Sequence, residues 1–323
     1  MDCYRLEVRI YQRPFRMPLQ TSHGRWQVRD GVIVRLENRA GQVGFGEIAP
    51  LPWLGSESLE RAIAFCRRCL PMVTAEQIMQ IPDTLPATQF GLGMALERLG
   101  PAARFPIAWT CSHLLPTGAA ALQVPLAPGC TYKWKIGVQS RQQEQQWLQE
   151  RLQDWPLGAK LRLDANGGLD QAAAIAWLQV CDRLNQSTPV IEFLEQPLPA
   201  DQVPQMQQLG DRYTTPIALD ESLATMHHVR HWHQQGWRGI GVVKPAIAGF
   251  PQTIRQVCTD VGLDVVWSSV FETPMTQRFI AQHLAPVAGD RAVGFGINHW
   301  FVDAGCHGLE DEDLWATLLP LRT

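Results

Sequence analysis

Five charged residues stand at or near the ends of short apolar runs, and the spacing between them is regular. They are Lys135 in YKWKIGV, Asp164 in KLRLDAN, Glu195 in VIEFLEQP, Asp220 in PIALDES and Lys244 in GIGVVKPAI. In this order they are 29, 31, 25 and 24 residues apart, which is about the length of one strand–helix unit. Because the strands of a parallel barrel end around one mouth, where its active sites are built, we expect these side chains to converge.

Three of these residues are carboxylates, whose mutual repulsion would require a cation between them. Asp164, Glu195 and Asp220 form an all-oxygen set, which suits a hard divalent ion with positions left for water and substrate. Mg²⁺ is the expected ion, and Mn²⁺ is the alternative. Each carboxylate alone could equally be a helix cap or a loop charge at a strand end, so the prediction depends on the joint pattern.

Two lysines flank a tryptophan in the stretch TYKWKIGV. If this stretch is a strand, Lys133 and Lys135 point to one face, and Trp134 points outward against the helices. Two like charges on one face of a buried strand destabilise each other unless nearby groups compensate. The carboxylate cluster would provide that compensation, with Lys135 as the candidate general base and Lys244 facing it across the mouth.

The elements needed to position these residues can be read from about residue 120 onward, where short apolar runs alternate with amphipathic helical stretches. The predicted strands are ALQVPLA, YKWKIGV, KLRLDAN, VIEFLEQP, PIALDES, GIGVVKPAI, DVVWSSV and AVGFGIN. The predicted helices between them include SRQQEQQWLQERL, DQAAAIAWLQVCDRL and TIRQVCTDVG. Eight strands with interposed helices fit a barrel better than an open sheet.

The first hundred residues predict a separate α+β unit. Residues 2–12 and 30–37 have the alternation of strands, and a turn at 40–41 leads into a third strand. Ser56 is placed to cap a first helix, and a second helix is expected over residues 90–99.

Composition excludes several classes of protein. The 323 residues carry a net charge of -3 and only 18% charged residues, so a nucleic-acid partner is not expected. The N-terminus reads as a strand and no 18 apolar residues run together, which predicts a soluble cytoplasmic protein without a membrane partner. The eight cysteines are scattered, and Cys66 and Cys69 share a helical pattern without a second CxxC, so core thiols are favoured over a redox or zinc site.

These motifs resemble the enolase superfamily, and within it the muconate-lactonising subgroup, which carries a KxK motif on the second barrel strand and a lone lysine on the sixth. The resemblance implies an α/β fold, a modified TIM barrel of the (β/α)₇β type with an N-terminal α+β capping domain. The implied divisions are a capping domain at 1–100, a barrel at 101–299, and a C-terminal segment at 300–323 that packs back on the cap.

The resemblance also assigns roles. The implied metal ligands are Asp164, Glu195 and Asp220, and Glu195 is preferred to Glu192 because it stands at the strand end. Lys135 is the implied base with Lys133 beside it, and Lys244 is its counterpart on the opposite face of the substrate. The family uses a Lys or His base together with Mg²⁺, which stabilises an ene-diolate.

Shorter stretches are similar to the o-succinylbenzoate synthases of this subgroup: RDG at 29–31, GFGEIAPLPWLGSES, VVKPAIAG and SSVFET. They imply that a small-molecule carboxylate substrate is bound by Asn166, by Pro50 and Leu51 of a cap loop, and by Ser268 and Ser269 after the seventh strand. The implied reaction is that of a hydro-lyase, the syn dehydration of 2-succinyl-6-hydroxy-2,4-cyclohexadiene-1-carboxylate to 2-succinylbenzoate in menaquinone or phylloquinone biosynthesis.

Three alternatives stay open at the level of sequence. An N-acylamino acid racemase or dipeptide epimerase of the same subgroup would use the same two opposed lysines, although the last run, AVGFGINHW, lacks the acidic motif that epimerases often carry. A Schiff-base aldolase would use Lys135 or Lys244 as nucleophile, but it leaves three aligned carboxylates unexplained. A non-enzymatic binding protein that retains the fold is the third alternative.

Overall fold

The computed structural model describes residues 2–21, 24–100, 109–186, 190–284, 287, 289–302 and 309–321. Within these ranges the chain forms an antiparallel N-terminal sheet with its helices and a parallel sheet that curls into a barrel. The fold class predicted from the sequence is confirmed. None of the helices in these ranges has the length and apolar composition of a membrane span.

The secondary structure begins in the antiparallel sheet and alternates regularly between strand and helix in the barrel. The strands are β1 Cys3–Thr21, β2 Gly24–Glu37, β3 Val43–Ile48, β4 Met72–Thr74, β5 His113–Leu114, β6 Thr131–Lys135, β7 Lys160–Asp164, β8 Ile191–Glu195, β9 Ile217–Leu219, β10 Ile240–Val243, β11 Asp264–Trp267 and β12 Leu319–Pro320. The helices are α1 Leu59–Cys69, α2 Ala75–Met79, α3 Pro86–Glu97, α4 Arg141–Leu152, α5 Gln171–Asn185, α6 Val203–Arg212, α7 Met226–Gln234, α8 Pro251–Val261, α9 Pro274–His283 and α10 Asp311–Thr317.

The N-terminal sheet has the strand order β12–β1–β2–β3, and β4 also pairs with β1. The predicted strands are present, but the first helix begins differently from the prediction. Its cap is Ser58, whose hydroxyl accepts a hydrogen bond from the amide of Arg61 at 3.4 Å. The hydroxyl of Ser56 accepts instead from the amide of Leu51 at 2.6 Å, so this serine closes the preceding loop and is not available to the helix.

The seven barrel strands are parallel and lie in the order β5 to β11. Two isolated bridges close the gap between the first and last strands, Cys111 with Val293 and Ser268 with Gly294. The predicted final strand, AVGFGIN, is therefore reduced to bridge residues. A side chain at Gly294 would lie 3.1 Å from the hydroxyl oxygen of Ser268, so the seam closes by a close backbone approach.

The prediction that ALQVPLA is a strand was wrong. Gly118–Gln123 forms a 3₁₀ turn, and the short strand β5 precedes it. The guanidinium of Arg151 on α4 donates to the carbonyl oxygens of Leu122 at 3.3 Å and Val124 at 2.7 Å. Those backbone acceptors are satisfied by a side chain, so the segment does not need a neighbouring strand.

Alternation along the strands separates the barrel interior from its outer layer. A small interior cluster is formed by Phe193, Ala218, Ile240, Val242 and Val266. Trp134 is buried in the large core cluster that lies outside this set and includes apolar residues of the helices. Its outward orientation agrees with the expectation from the sequence, and it leaves the flanking lysines to face the interior.

The C-terminal residues contact the N-terminal sheet. β12 extends that sheet through the pairing of Arg9 with Pro320, and the guanidinium of Arg9 lies 4.3 Å from the ring centroid of Trp315. Arg9 also donates to the carbonyl oxygen of Trp315 at 2.6 Å. The division of the chain at 100 and 299 stays a prediction, and residues 101–108 and 303–308 lie outside the described ranges.

Strand β3 and helix α3 approach each other so closely that only glycine fits between them. A Cβ atom at Gly46 would lie 1.9 Å from the carbonyl oxygen of Gly91, and one at Gly91 would lie 2.7 Å from the carbonyl oxygen of Glu47. Both of these carbonyl oxygens are backbone atoms, which cannot turn away as a side chain can, and Cγ1 of Ile48 would lie still closer to the added atom at Gly91, at 2.5 Å. This contact sets the position of Glu47, which binds the barrel as described below.

We expect Gly46→Ala to lower the free energy of unfolding by about 1–3 kcal/mol or more, because the added methyl overpacks a rigid backbone contact. Gly210→Ala is the matched control. Gly210 is exposed on α6 and has no atom within 4 Å of the added position, so it should gain about 0.5–1 kcal/mol from helix propensity. Urea unfolding of the two variants measures both effects, and equal stabilities would contradict the close-approach argument.

Candidate active site

The predicted residues converge at the carboxyl ends of adjacent barrel strands. Strand register places Lys135 opposite Asp164 and Asp164 opposite Glu195. Asp220 and Lys244 each follow the last residue of their strand, β9 and β10. The five side chains therefore line one arc of the barrel mouth, as the regular spacing of the sequence predicts.

Ion pairs join the charged groups within this arc. The ammonium of Lys133 lies 2.8 Å from Oδ2 of Asp164 and 2.7 Å from Oε1 of Glu195, so one cation serves two carboxylates. Lys244 pairs with Asp220. Lys135 has no ion pair or hydrogen bond with its side chain among the residues that the structure describes, which leaves its amine directed to the mouth without a carboxylate partner.

Burial sets the protonation of these groups. It raises the pKa of Glu195 to about 8, and the nearby charge of Asp164 adds to the effect. Burial would also raise the pKa of Asp164, but the attraction of Lys133 outweighs it and holds that pKa below its usual range. Burial raises the pKa of Glu221 to about 7, with Asp220 adding to it. One lysine does not neutralise the buried carboxylates around it.

Burial and neighbouring carboxylates act in opposite directions on the pKa values of the two paired lysines, Lys133 and Lys244. Burial alone would lower the pKa of Lys133, but the charges of Asp164 and Glu195 raise it above its ordinary value. Lys244 behaves in the same way because Asp220 and then Glu221 face it. Both side chains are therefore cations at neutral pH. The chain contains four lysines, and all but Lys160, at the opposite end of β7, stand at the mouth.

The donor set fits a divalent cation. Asp164, Glu195 and Asp220 are 2%, 1% and 6% exposed, and these three buried carboxylates are a hard-oxygen set whose charge the two ammonium groups of Lys133 and Lys244 only partly neutralise. The ammonium of Lys133 takes the place of a metal cation between Asp164 and Glu195. Within the described ranges no three acidic, histidine or cysteine side chains surround a common point, because the carboxylates are divided between Lys133 and Lys244.

Asn166 lies at the mouth in a backbone conformation that non-glycine residues seldom adopt, with φ of 44°. Its backbone amide donates to Oδ1 of Asp164 at 3.0 Å, and its side-chain amide donates to Oε1 of Glu221 at 3.1 Å. Asn166 thus links the ends of β7 and β9. Glu221 was not predicted from the sequence, although its position directly after Asp220 was the available signal.

Gln196 is a second residue that sequence reasoning missed. It is fully buried with φ of 37°, and its side-chain oxygen accepts from the amide of Asp220 at 2.9 Å. Its side-chain nitrogen donates to the hydroxyl of Ser222 at 2.9 Å. The glutamine of the EQP motif therefore fixes the turn that carries Asp220.

Glu192 has different ion-pair partners from Glu195, and the choice of Glu195 as the metal ligand stays a prediction. The pairing of β7 with β8 shifts by one residue at Glu192, which is the effect of a bulge. Its carboxylate lies 2.7 Å from Nε of Arg162 and 2.8 Å from Nη1 of Arg291. Glu192 is thus neutralised by two arginines and is not available as a ligand at the mouth.

The loop after Lys135 is anchored by a buried carboxylate from the next helix. Glu144 of α4 accepts from the amides of Gly137 at 2.8 Å, and of Val138 and Gln139 at 2.9 Å. Three backbone donors are satisfied at once. The backbone that follows the candidate base is consequently held against α4.

Two buried residues of the N-terminal sheet bind the barrel loop that follows β11. Arg29 donates to the carbonyl oxygens of Val270 and Pro50, each at 3.0 Å, and so joins that loop to the cap loop over the mouth. Glu47 accepts from the amide of Thr273 at 3.0 Å and from the hydroxyl of Tyr11 at 2.6 Å.

Four of the five predicted substrate-binding residues lie on these two loops, and the fifth, Asn166, follows β7. Pro50 and Leu51 are buried, and Ser268 lies at the barrel seam. The hydroxyl of Ser269 donates to Oε2 of Glu272 and accepts from the amide of Phe271, both at 2.8 Å. Direct contact of these residues with a substrate stays a prediction.

A small cavity separates the cap loop from the mouth. Its volume is about 10 Å³, and its lining includes Leu54 of the cap loop with Asp220, Glu221 and Lys244 of the barrel. It holds about one water molecule, far less than the roughly 300–1,000 Å³ of ligand pockets. A substrate that enters between Leu54 and Lys244 must therefore displace the loop.

The two cysteines of the CxxC pattern lie in α1, away from this mouth. Cys66 is fully buried, and burial raises the pKa of its thiol to about 12, which makes a reactive thiolate unfavourable. Cys69 is also free and buried. The prediction that these cysteines are core thiols agrees with this environment. Cys306 lies outside the described residues.

Comparison with known sequences finds similarity along most of the chain. The family model described as Enolase C-terminal domain-like matches residues 129–293, and the model described as MenC, N-terminal domain matches residues 4–99. An o-succinylbenzoate synthase of Thermosynechococcus vestitus is 41% identical over 306 residues, covering 92% of this chain and 93% of that protein. One of Photorhabdus laumondii is 28% identical, with coverage of 95% and 91%.

Solved structures show the same relationship. The crystal structure of o-succinylbenzoate synthase from Thermosynechococcus elongatus BP-1, complexed with Mg in the active site, matches with a TM-score of 0.85 and 38% identity, covering 97% of this chain and 99% of that one. A substrate-liganded L-Ala-D/L-Glu epimerase from Bacillus subtilis has a TM-score of 0.77, 21% identity and coverage of 94% and 92%. At that identity the likeness concerns the fold alone.

Proposed function

Because the chain belongs to the o-succinylbenzoate synthase family of the enolase superfamily, and is thus a lyase-type enzyme acting on a small molecule, we propose that it is itself a Mg²⁺-dependent o-succinylbenzoate synthase. The observation that carries this proposal is the register of Lys135, Asp164 and Glu195 across three adjacent strand ends. The proposed substrate is 2-succinyl-6-hydroxy-2,4-cyclohexadiene-1-carboxylate, and the products are 2-succinylbenzoate and water, in menaquinone or phylloquinone biosynthesis in the cytoplasm.

Lys135 is the proposed base. In its neutral form it removes the proton on the carbon that bears the ring carboxylate, and the electron pair left on that carbon expels the hydroxyl group from the neighbouring carbon. The ammonium formed on Lys135 then gives its proton to the departing oxygen, which leaves as water. The absence of a carboxylate partner for this amine among the described residues supports the assignment, because no ion pair must be broken before it accepts a proton.

Lys244 is the proposed electrostatic partner on the opposite face. Asp220 and Glu221 favour its cationic form, so it is suited to stabilise the negative charge that develops when the proton leaves. Lys133, held by Asp164 and Glu195, is the proposed support for Lys135. Asn166, Ser268, Ser269, Pro50 and Leu51 are the proposed substrate contacts.

The proposed ligands of Mg²⁺ are Asp164, Glu195 and Asp220, and Mn²⁺ is a proposed substitute. When bound, the ion supplies a Lewis acid for the substrate carboxylate. To bind it, the three carboxylates must turn from Lys133 and Lys244 toward a common point. Lys135 and Lys244, the two lysines proposed to face the substrate, would then lie on either side of the reacting carbon.

N-acylamino acid racemisation is the second candidate function. Two lysines at opposite sides of a mouth are also what removal and return of a proton on opposite faces requires. The arrangement of Lys135 and Lys244 therefore supports this activity as well, and only substrates separate the two.

An assay with the cyclohexadiene substrate and Mg²⁺, run beside a panel of N-acylamino acids and dipeptides, tests the proposal directly. We expect 2-succinylbenzoate to form, which is followed by ultraviolet absorbance and mass spectrometry. EDTA should remove this activity. Racemisation of an N-acylamino acid without any dehydration would favour the second candidate, and a borohydride-trapped adduct that forms despite EDTA would favour a Schiff-base enzyme.

We expect Lys135→Ala and Lys244→Ala each to lower kcat by about 10²- to 10⁴-fold or more, the contribution typical of a positioned acid–base group. Lys160→Ala is the matched control, because Lys160 is an exposed lysine at the far end of the barrel. Circular dichroism checks that each variant folds. Near-normal turnover by Lys135→Ala would overturn its assignment as the base.

The raised pKa of Glu195, about 8, and of Glu221, about 7, predict how stability depends on pH. Between their ordinary values near 4.5 and these values the folded protein holds more protons than the unfolded chain, so its stability falls as pH rises from about 5 to 8. Mg²⁺ requires the deprotonated carboxylates. Its effect on Tm should therefore be larger at pH 8 than at pH 6.

Thermal unfolding with and without Mg²⁺ at the two pH values measures this effect. A concentration of one hundred times Kd corresponds to about 2.7 kcal/mol of stabilisation. Asp220→Asn is the control and should lose most of the increase in Tm. An increase of the same size in that variant, or one that is larger at pH 6, would contradict the proposed ligand set.

A further inference from the structure

Helix α7 carries four histidines among its nine residues, MHHVRHWHQ. Two of them, His227 and His231, are four positions apart and exposed, so they lie one above the other on the same helix face. Their rings are parallel within 11°, with centroids 6.5 Å apart. Neither ring makes a hydrogen bond or an ion pair with a described residue, so their nitrogen atoms are open to an external ligand.

This separation is close to that of two imidazoles on one metal ion. A histidine nitrogen binds zinc at about 2.0–2.1 Å, which places the ring centroid roughly 3 Å from the ion, and two such rings lie about 5–6 Å apart in a tetrahedral site. Imidazole binds a metal through a lone pair in its ring plane, so both exposed side chains would also have to rotate to turn one nitrogen each toward a common ion. Helical histidines spaced i and i+4 are the zinc-binding pair of the HExxH motif, so the backbone spacing already suits chelation.

The surroundings of the pair also favour metal binding. Burial, and then the neighbouring charges of His227 and His231, lower the pKa of His228, which shows that the three imidazoles lie close together. Neutral imidazole is the form that binds a metal. His228 itself is engaged, because its Nδ1 lies 3.1 Å from the hydroxyl of Thr225, and it therefore contributes less than the exposed pair.

We propose that His227 and His231 form a two-histidine chelate on the outer face of the barrel for a borderline divalent transition-metal ion such as Ni²⁺, Cu²⁺ or Zn²⁺. Water completes the coordination, in keeping with the absence of any described cluster of three or more metal-binding side chains. The nitrogen pair prefers ions of this class, whereas the carboxylates at the mouth prefer Mg²⁺. The two sites are thus chemically distinct, and this proposal does not depend on the proposed catalytic function.

Calorimetric titration of tag-free protein with Ni²⁺, in excess Mg²⁺, tests the proposal. We expect one site, and at least tenfold weaker binding in His227→Gln and in His231→Gln. His233→Gln is the matched control, because His233 lies two positions beyond His231 and so on the other side of the helix, and it should bind within about twofold of the parent. Electron paramagnetic resonance of the Cu²⁺ complex should show nitrogen coupling that both single variants reduce.

The result is decided by the pattern across the variants. The three substituted histidines, His227, His231 and His233, lie on α7 and not at the mouth. Circular dichroism and the dehydration assay should therefore be unchanged in each variant. Unchanged Ni²⁺ affinity in the double variant His227→Gln/His231→Gln would overturn the proposal, as would an equal loss in His233→Gln. Either single variant alone suffices for the test if the double variant does not fold.

Discussion

Charge balance among buried carboxylates is the constraint on which the organisation of the barrel mouth depends. Asp164 and Glu195 are neighbours in strand register and both are almost fully buried. Without cations their repulsion and desolvation would oppose folding. Lys133 provides one positive charge for the two of them, which leaves the pair of carboxylates only partly neutralised. The same deficit of positive charge makes the mouth a suitable place for a divalent ion.

The second requirement is that the cap loop and the barrel loop after β11 keep a fixed position relative to each other. Arg29 holds the cap loop at Pro50 and the barrel loop at Val270 with one guanidinium, and Glu47 holds the same barrel loop at Thr273. Glu47 is itself placed by the glycine contact between β3 and α3. A backbone contact deep in the N-terminal sheet thus bears on the shape of a site to which it contributes no side chain.

The sequence predicted the barrel and its mouth because periodicity and spacing are properties of the chain itself. The strand ends at Asp164 and Glu195 follow from apolar runs that stop at a charge, and the helices α5 and α8 follow from their amphipathic patterns. The failures arose where tertiary partners replaced local ones. Arg151 satisfies carbonyl oxygens at Leu122 and Val124, so an apolar run is not a strand. Likewise Gln196 and Glu221 act through contacts between different strand ends, which no local pattern reveals.

The distribution of cationic residue types follows from the chemistry that each can perform. Buried positive charges that only hold other groups in place are arginines, as at Arg29 and Arg162. A guanidinium keeps its proton at any physiological pH and presents several donors in a fixed plane. An ammonium is a single flexible point that can give up its proton, and three of the four lysines of the chain stand at the mouth, within β6 or directly after β10. The side-chain ammonium groups of the mouth are thereby supported by cations of a different kind, whose charge does not change with pH.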